Sequence, residues 1–303
     1  QAFHKEVPDA AGYIQSLLGS EFMQFNAWDD AHEYALRPAG DGFAYARRPR
    51  SNTAPRARAA HDREKSSILP AGQIVPPLVD MGVMTPSGEV VKGMYDKYRQ
   101  INRFLEILGD ELDRMEPPQA INVVDFGCGK SYLTFIIYHY LVHVRDLPAR
   151  ITGLDLKEEV IRACEASARK YGYEGLTFRA CDIRDYQADG PVDLVVSLHA
   201  CDTATDHALR SAISWRAGLI LCAPCCQHEI NSQIRPEGLP ILGRYGVVQE
   251  RFSALLTDAL RANLLAACGY KTSVMEFVDL THTPKNLLIR ARRAPASPEA
   301  RAR

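Results

Sequence analysis

From residue 121 onward, short apolar runs alternate with longer segments of helical spacing. The runs fall at 121–125, 151–155, 176–181, 192–198, 217–223, 273–279 and 286–292. Seven strands with intervening helices predict one α/β sheet, mostly parallel. The last two runs lie close together, joined by Thr281-His282-Thr283-Pro284-Lys285, which suits an antiparallel pair. Upstream, Met94 to Met115 places Tyr98, Ile101, Phe104, Leu105 and Leu108 at i, i+3, i+4 spacing, and Pro117-Pro118 stop this helix. Its polar positions include Lys97, Arg99, Gln100, Asn102 and Arg103. Residues 10–36 also carry helical spacing, through Ile14, Leu17, Leu18 and Phe22. A hairpin is predicted from His32 to Leu36, through the turn at 38–42, and back along Phe43 to Ala46. Three regions result: an N-terminal α+β region with a basic linker over 1–89, an α/β domain over 90–293, and a disordered tail over 294–303.

Composition narrows the function classes. The chain has 303 residues, 46% of them hydrophobic, enough for a full core, and a net charge of −1. The molecule as a whole therefore has no strong field for nucleic acid. One segment departs from this. Residues 47–65 hold seven Arg or Lys against Asp62 and Glu64, a local charge of +5. That segment reads equally as a solvated linker and as an RNA-contacting arm, because Arg and Lys supply sequence-independent affinity for phosphates. No apolar run reaches the roughly 18 residues that span a membrane. The opening residues, Gln-Ala-Phe-His-Lys-Glu, have no signal-peptide pattern and no initiator Met, as expected of a fragment or processed product. Eight scattered cysteines without an export signal are expected to be reduced thiols in the cytoplasm.

The most informative stretch is Val123-Val-Asp-Phe-Gly-Cys-Gly-Lys-Ser131. An apolar run ends in Asp125, and a turn with Gly127 and Gly129 leads into the apolar segment Tyr132 to Val144. Strand, glycine turn and helix in this order let the backbone approach a ligand closely. The P-loop spacing is absent, since no Gly lies five residues before Gly129, and so is the third Gly of a dinucleotide fingerprint. Asp-x-Gly-x-Gly at the end of a first strand instead resembles motif I of class I S-adenosyl-L-methionine (SAM) methyltransferases. Two further runs end in Asp155 and Asp182, at βαβ spacing. An ionised Asp155 can accept both ribose hydroxyls. In the methyltransferase pattern Asp182 meets the adenine amino group. Each of these acids taken alone could equally cap a helix.

From about residue 60 to 292 the chain resembles an uncharacterised bacterial family of class I methyltransferase-domain proteins. The strings that carry this are 61–65, Tyr-Asp-Lys-Tyr-Arg-Gln-Ile-Asn-Arg-Phe-Leu-Glu (95–106), Asp-Phe-Gly-Cys-Gly-Lys-Ser-Tyr-Leu-Thr (125–134), Leu-His-Ala-Cys-Asp-Thr-Ala-Thr-Asp (198–206), Ala-Pro-Cys-Cys-Gln-His-Glu (223–229) and 282–286. The resemblance implies a Rossmann-like, seven-stranded fold with SAM as cofactor, bound by Asp125, Gly127, Gly129, Asp155, Asp182 and His199. The wider group includes proteins linked to RNA methylation, which makes RNA a reasonable substrate class.

Ligands of open α/β sheets bind beyond the carboxyl ends of the strands. The fourth strand ends at His199, Cys201 and Asp202, and the fifth at Cys225, Cys226 and His228. Four readings compete, in this order of preference. His199 or Asp202 could act as a base in an in-line displacement dominated by positioning. The thiols and His228 could simply pack. Cys201, Cys225, Cys226 and His228 could bind zinc, although no C-x₂-C pair is present, so no metal is expected. Cys225 or Cys226 could add to a pyrimidine as nucleophile. Lys130 reads equally as a contact to the SAM carboxylate or a substrate phosphate and as a solvated side chain. In the amphipathic stretch 251–265, Asp258, Arg261 and Asn263 are expected to face solvent, with at most a weak substrate role for Arg261. The expected function is SAM-dependent methylation of RNA. The alternatives are methylation of a small molecule or protein, and a SAM- or zinc-binding regulatory module without catalysis.

Overall fold

The computed structural model describes residues 12–13, 17, 22–29, 31–39, 42–49, 67–115, 119–198, 200, 202–234, 240–277 and 287–294. The chain forms two compact units, Gln1–Ser66 and Ser67–Arg303. His199, Cys201, most of the 47–65 segment, the 282–286 string and the tail beyond 294 lie outside the described residues.

In the first unit, β1 (Phe25–Trp28), β2 (His32–Ala39) and β3 (Gly42–Pro49) form an antiparallel sheet in that order. The predicted hairpin is present and extends further, with Ala39 opposite Gly42 and His32 opposite Pro49. The helical spacing expected as far as residue 36 is corrected at Phe25, which begins a strand. There Phe25 and Ala27 alternate with Asn26, a period of two, and the segment pairs with β2 through Phe25–Leu36 and Ala27–Tyr34.

The second unit begins at Ser67, earlier than the expected boundary at residue 90. Leu69, Val75, Leu78, Val83 and Met84 are buried in the same core as the long helix behind them. This segment contains α1 (Pro76–Asp80), and α2 (Tyr95–Leu112) follows it. Asn102, grouped with the polar face by its residue type, is buried in α2. It accepts the Leu69 N–H at 2.9 Å and donates to the Tyr98 carbonyl at 3.0 Å. The Tyr98 hydroxyl donates in turn to the Leu69 carbonyl. By contrast, Arg99 and Arg103 make exposed i,i+3 pairs with Asp96 and Glu106.

Seven strands form the central sheet: β4 (Ile121–Phe126), β5 (Ala149–Asp155), β6 (Leu176–Ala180), β7 (Leu194–Ser197), β8 (Leu219–Cys222), β9 (Tyr270–Glu276) and β10 (Leu287–Arg293). Their order is β6-β5-β4-β7-β8-β10-β9. The first five in sequence run parallel, and β10 pairs antiparallel with β8 and β9, as the short final connection implied. The intervening helices are α3 (Tyr132–His139), α4 (Glu158–Tyr171), α5 (Thr203–Ser214), α6 (His228–Gln233), α7 (Pro240–Gly243) and α8 (Gly246–Ala267). A single π turn, Tyr140–Val144, prolongs α3. The central strands are buried along nearly their whole length, as parallel strands covered on both faces must be. Glu111 of α2, itself buried, anchors the helix to the sheet through Arg290 at 3.0 Å and Arg292 at 3.2 Å. No helix among the described residues is long and apolar enough to cross a membrane.

Candidate active site at the strand ends

Strand order reverses beside β4. The chain moves outward from β4 to β5 and β6, then returns to place β7 on the other flank. The glycine turn after β4 therefore stands at the topological switch point, where a crevice opens in sheets of this type. Its backbone explains the sequence. Gly127, Gly129 and Ser131 have φ of 69°, 53° and 55°, in the left-handed region that glycine adopts without cost. A Cβ added to Gly129 would meet no atom within 4 Å, so the space over the turn is open.

The first acid, Asp125, is buried beneath this turn and accepts the Thr134 hydroxyl at 2.5 Å. Burial pushes its carboxyl up to about 7, and the nearby charge of Asp155 adds to the rise, while the Thr134 bond opposes it. Asp155 ends β5. Its Oδ2 accepts the Gly129 N–H and its Oδ1 the Lys157 N–H, each at 3.0 Å. These bonds fix the plane of the carboxylate and leave each oxygen a second lone pair. Asp182 follows β6 and is held down at about 2 by Arg184, whose Nη2 lies 2.8 Å from Oδ2 and whose backbone N–H donates to Oδ1.

A cleft of about 400 Å³ lies between these groups, within the range of small-molecule sites. Gly127, Asp155 and Asp182 line it, together with Leu156, Ile183 and His207. Leu156 is 70% exposed, an apolar side chain left facing the cleft. Leu156 and Ile183 escaped the sequence reading because nothing marks them except their place just beyond a strand end, whereas His207 follows Asp202 by about a turn and a half, on α5. A larger cleft, about 560 Å³, lies at the amino ends of β4 and β5 and lacks the glycine turn.

Of the catalytic candidates, Asp202 lies on the other flank, beside the loop that carries Cys225, Cys226 and His228. The Asp202 Oδ1 accepts the Glu229 N–H at 3.3 Å, so the loops after β7 and β8 meet. Asp202 has φ 52° and ψ −124°, a conformation natural only to glycine, with a strain of order 1–3 kcal/mol. Cys225 and Cys226 are half-buried and His228 is exposed at the start of α6. Gln227, between them, is buried and donates to the Asp258 Oδ2 at 3.0 Å. Burial pushes the thiols of Cys128, Cys164 and Cys222 upward, the last to about 12, so they stay protonated as packing groups. Among the described residues, no three His, Cys, Asp or Glu are placed to hold a metal, but His199 and Cys201 are not among them.

Arg261 and Asp258 overturn the expectation of a solvent-facing role. Both are buried on the inner face of α8, while Leu255, Leu260 and Leu264 are exposed on its outer side. The Arg261 guanidinium donates to both Asp206 oxygens at 2.8 and 2.7 Å. It also reaches Asp258 at 3.1 Å and the Asp202 carbonyl at 2.9 Å. This bidentate fork ties α8 to the strained turn at Asp202, and through Asp258 and Gln227 to the loop after β8.

Residues 96–233 match the family model Methyltransf_32, described as a methyltransferase domain. The matched span runs from the first residues of α2 through the loops after β7 and β8. Over this span the chain is similar to a methyltransferase domain. The human protein named glutathione S-transferase C-terminal domain-containing protein is 22% identical over 218 residues, covering 64% of this chain and 32% of that protein. The mouse protein of the same name is 26% identical over 130 residues, covering 43% and 18%. The chain thus spans about a third or less of the curated relatives it matches. Among solved structures, a Streptococcus thermophilus rRNA methylase is 10% identical, covering 63% of this chain and 96% of that one, with a TM-score of 0.41. Magnesium protoporphyrin IX methyltransferase from Synechocystis, with S-adenosylhomocysteine bound, is 17% identical, covering 68% and 89%, with a TM-score of 0.40. At these scores the likeness decides neither substrate nor mechanism.

Proposed function

We propose that this chain transfers the methyl group of SAM to RNA. The observation that carries the cofactor half is one cleft with Gly127 at its wall and the carboxylates of Asp155 and Asp182 at the ends of neighbouring strands. Asp155, already oriented by two backbone N–H groups, accepts the ribose hydroxyls. Asp182 accepts the adenine amino group, and Leu156 and Ile183 offer apolar surface to its ring. The turn at Gly127 and Gly129 leaves room for the methionine end. SAM supplies an electrophilic methyl on a positively charged sulfur. The chain's own part is then to hold the acceptor in line and to receive its proton, at His199 or Asp202. The Arg261 fork serves that part by fixing the Asp202 turn.

For RNA, the support is the +5 segment at 47–65 and the resemblance of the strings at 198–206 and 223–229. Calorimetry with S-adenosylhomocysteine tests the cofactor site. Asp155→Ala removes charge-assisted bonds worth about 1.5–3 kcal/mol each, and binding should weaken at least tenfold. Equal affinity would show that β5 is misassigned to the ribose. For the substrate, nucleoside mass spectrometry of total RNA from cells with and without the gene should show one methylated nucleoside lost. An unchanged profile, with RNA binding absent or insensitive to salt, would favour a small-molecule or protein acceptor.

A further inference from the structure

The first unit presents an aromatic sheet face that the methyl-transfer site does not use. Strand alternation puts Phe43, Tyr45 and Arg47 of β3 on one face, opposite Pro38, Leu36 and Tyr34 of β2. Every residue of β3 is exposed. Phe43 is 47% and Tyr45 63% exposed, a large apolar area for water to cover without a role. The Tyr45 ring stacks beside Tyr34, with centroids 6.3 Å apart and planes 28° from parallel. Arg47 stands at the end of this row with its guanidinium on the His32 ring, 2.8 Å from Nε2. From there the sequence enters the +5 segment 47–65.

We propose that this face is a stacking platform for single-stranded RNA, with Arg47 at the end of the row neutralising a phosphate. The inference rests on RNA being the substrate class argued above. Two features select RNA over a protein partner. The aromatic row ends in positive charge, with Arg47 on the same face as Phe43 and Tyr45, which complements a polyanion. The rings are also spaced for bases. Residues two apart on a strand stand about 6.6–6.8 Å apart. Bases stacked in a duplex are only about 3.4 Å apart. Phe43 and Tyr45 therefore receive splayed bases, one per ring, which a single strand supplies and a duplex does not.

The test is fluorescence anisotropy of the full chain with a labelled 12-nucleotide single-stranded RNA, against the same sequence as a duplex. The single strand should bind more tightly than the duplex. Tyr45→Ala and Phe43→Ala should each weaken single-strand binding by about tenfold, with Tyr45→Phe close to wild type. Affinity for S-adenosylhomocysteine should be unchanged in all three, which reports that the methyltransferase unit is intact. Single-strand binding by Tyr45→Ala and Phe43→Ala equal to wild type would overturn the platform while leaving RNA as substrate. So would a preference for duplex. No RNA binding by the wild type, with an unchanged cellular RNA methylation profile, would overturn the substrate class as well.

Discussion

Arg261→Met is the most discriminating perturbation of the loops beyond β7 and β8. The arginine makes four hydrogen bonds, but its partners differ in what they lose. The Asp206 side chain is 47% exposed and regains water. The Asp258 side chain is 4% exposed and would be left as a buried carboxylate without its cation. Removing one partner of such a pair costs about 3–5 kcal/mol. The Asp202 carbonyl loses one of two donors and keeps the Thr205 N–H at 3.1 Å, so it adds little to that cost. In urea denaturation the midpoint should fall at an unchanged m-value. By calorimetry the Tm should drop on the order of 6–20 °C, taking about 2–4 °C per kcal/mol for a unit of this size. Arg261→Met/Asp258→Asn removes both charges and keeps an acceptor for Gln227, so it should recover about 2 kcal/mol. The pH dependence has a definite sign. Burial already raises the Asp258 carboxyl, and Arg261 pulls it down. Without the arginine it rises further, so the folded variant binds a proton that the unfolded chain, near 3.9, does not. The variant's deficit should therefore be smaller at pH 5 than at pH 8. A loss below about 1 kcal/mol, or a double variant no better than the single, would refute a buried, cation-dependent Asp258.

Further expectations follow from the same geometry. Asp125, at about 7 when folded and near 3.9 unfolded, should make the ligand-free protein lose up to about 4 kcal/mol as pH rises from 4 to 7. Asp125→Asn should flatten that slope in urea titrations at pH 5 and 8, and an unchanged slope would assign it to other groups. Gly153→Ala should cost about 1–3 kcal/mol by overpacking. Its Cβ would lie 2.6 Å from the Phe178 ring and 3.2 Å from the Cys128 sulfur. An urea midpoint equal to wild type would mean that the Phe178 ring moves aside freely. The purified protein should hold no stoichiometric zinc by elemental analysis, and one zinc per chain, lost in Cys226→Ser, would instead make the cysteine cluster a metal site.

How much was legible in the sequence depended on how local the cause was. Seven strands, their sites and the antiparallel ending came from apolar runs, because a strand buried on both faces must be apolar along its length. The glycine turn and the acids Asp125, Asp155 and Asp182 were legible because a strand end fixes where such a residue stands. Pattern failed where a polar residue was buried by a partner far along the chain. Asn102 is satisfied by Leu69, 33 residues away, and Arg261 by Asp206, 55 residues away. Type alone gave both to solvent, since a side chain's hydrogen-bond partner is a property of the assembled fold. For the same reason α8 reads as an ordinary amphipathic helix, while the tertiary structure turns Ser253, Thr257, Asp258 and Arg261 inward and leaves Leu255 and Leu264 outside. The sequence by itself determined the sheet and placed Asp155 and Asp182 at the strand ends that border the cleft of about 400 Å³. Only the tertiary structure decided which polar groups hold the loops beyond β7 and β8 together, because that depends on desolvation and pairing across elements that meet only when folded.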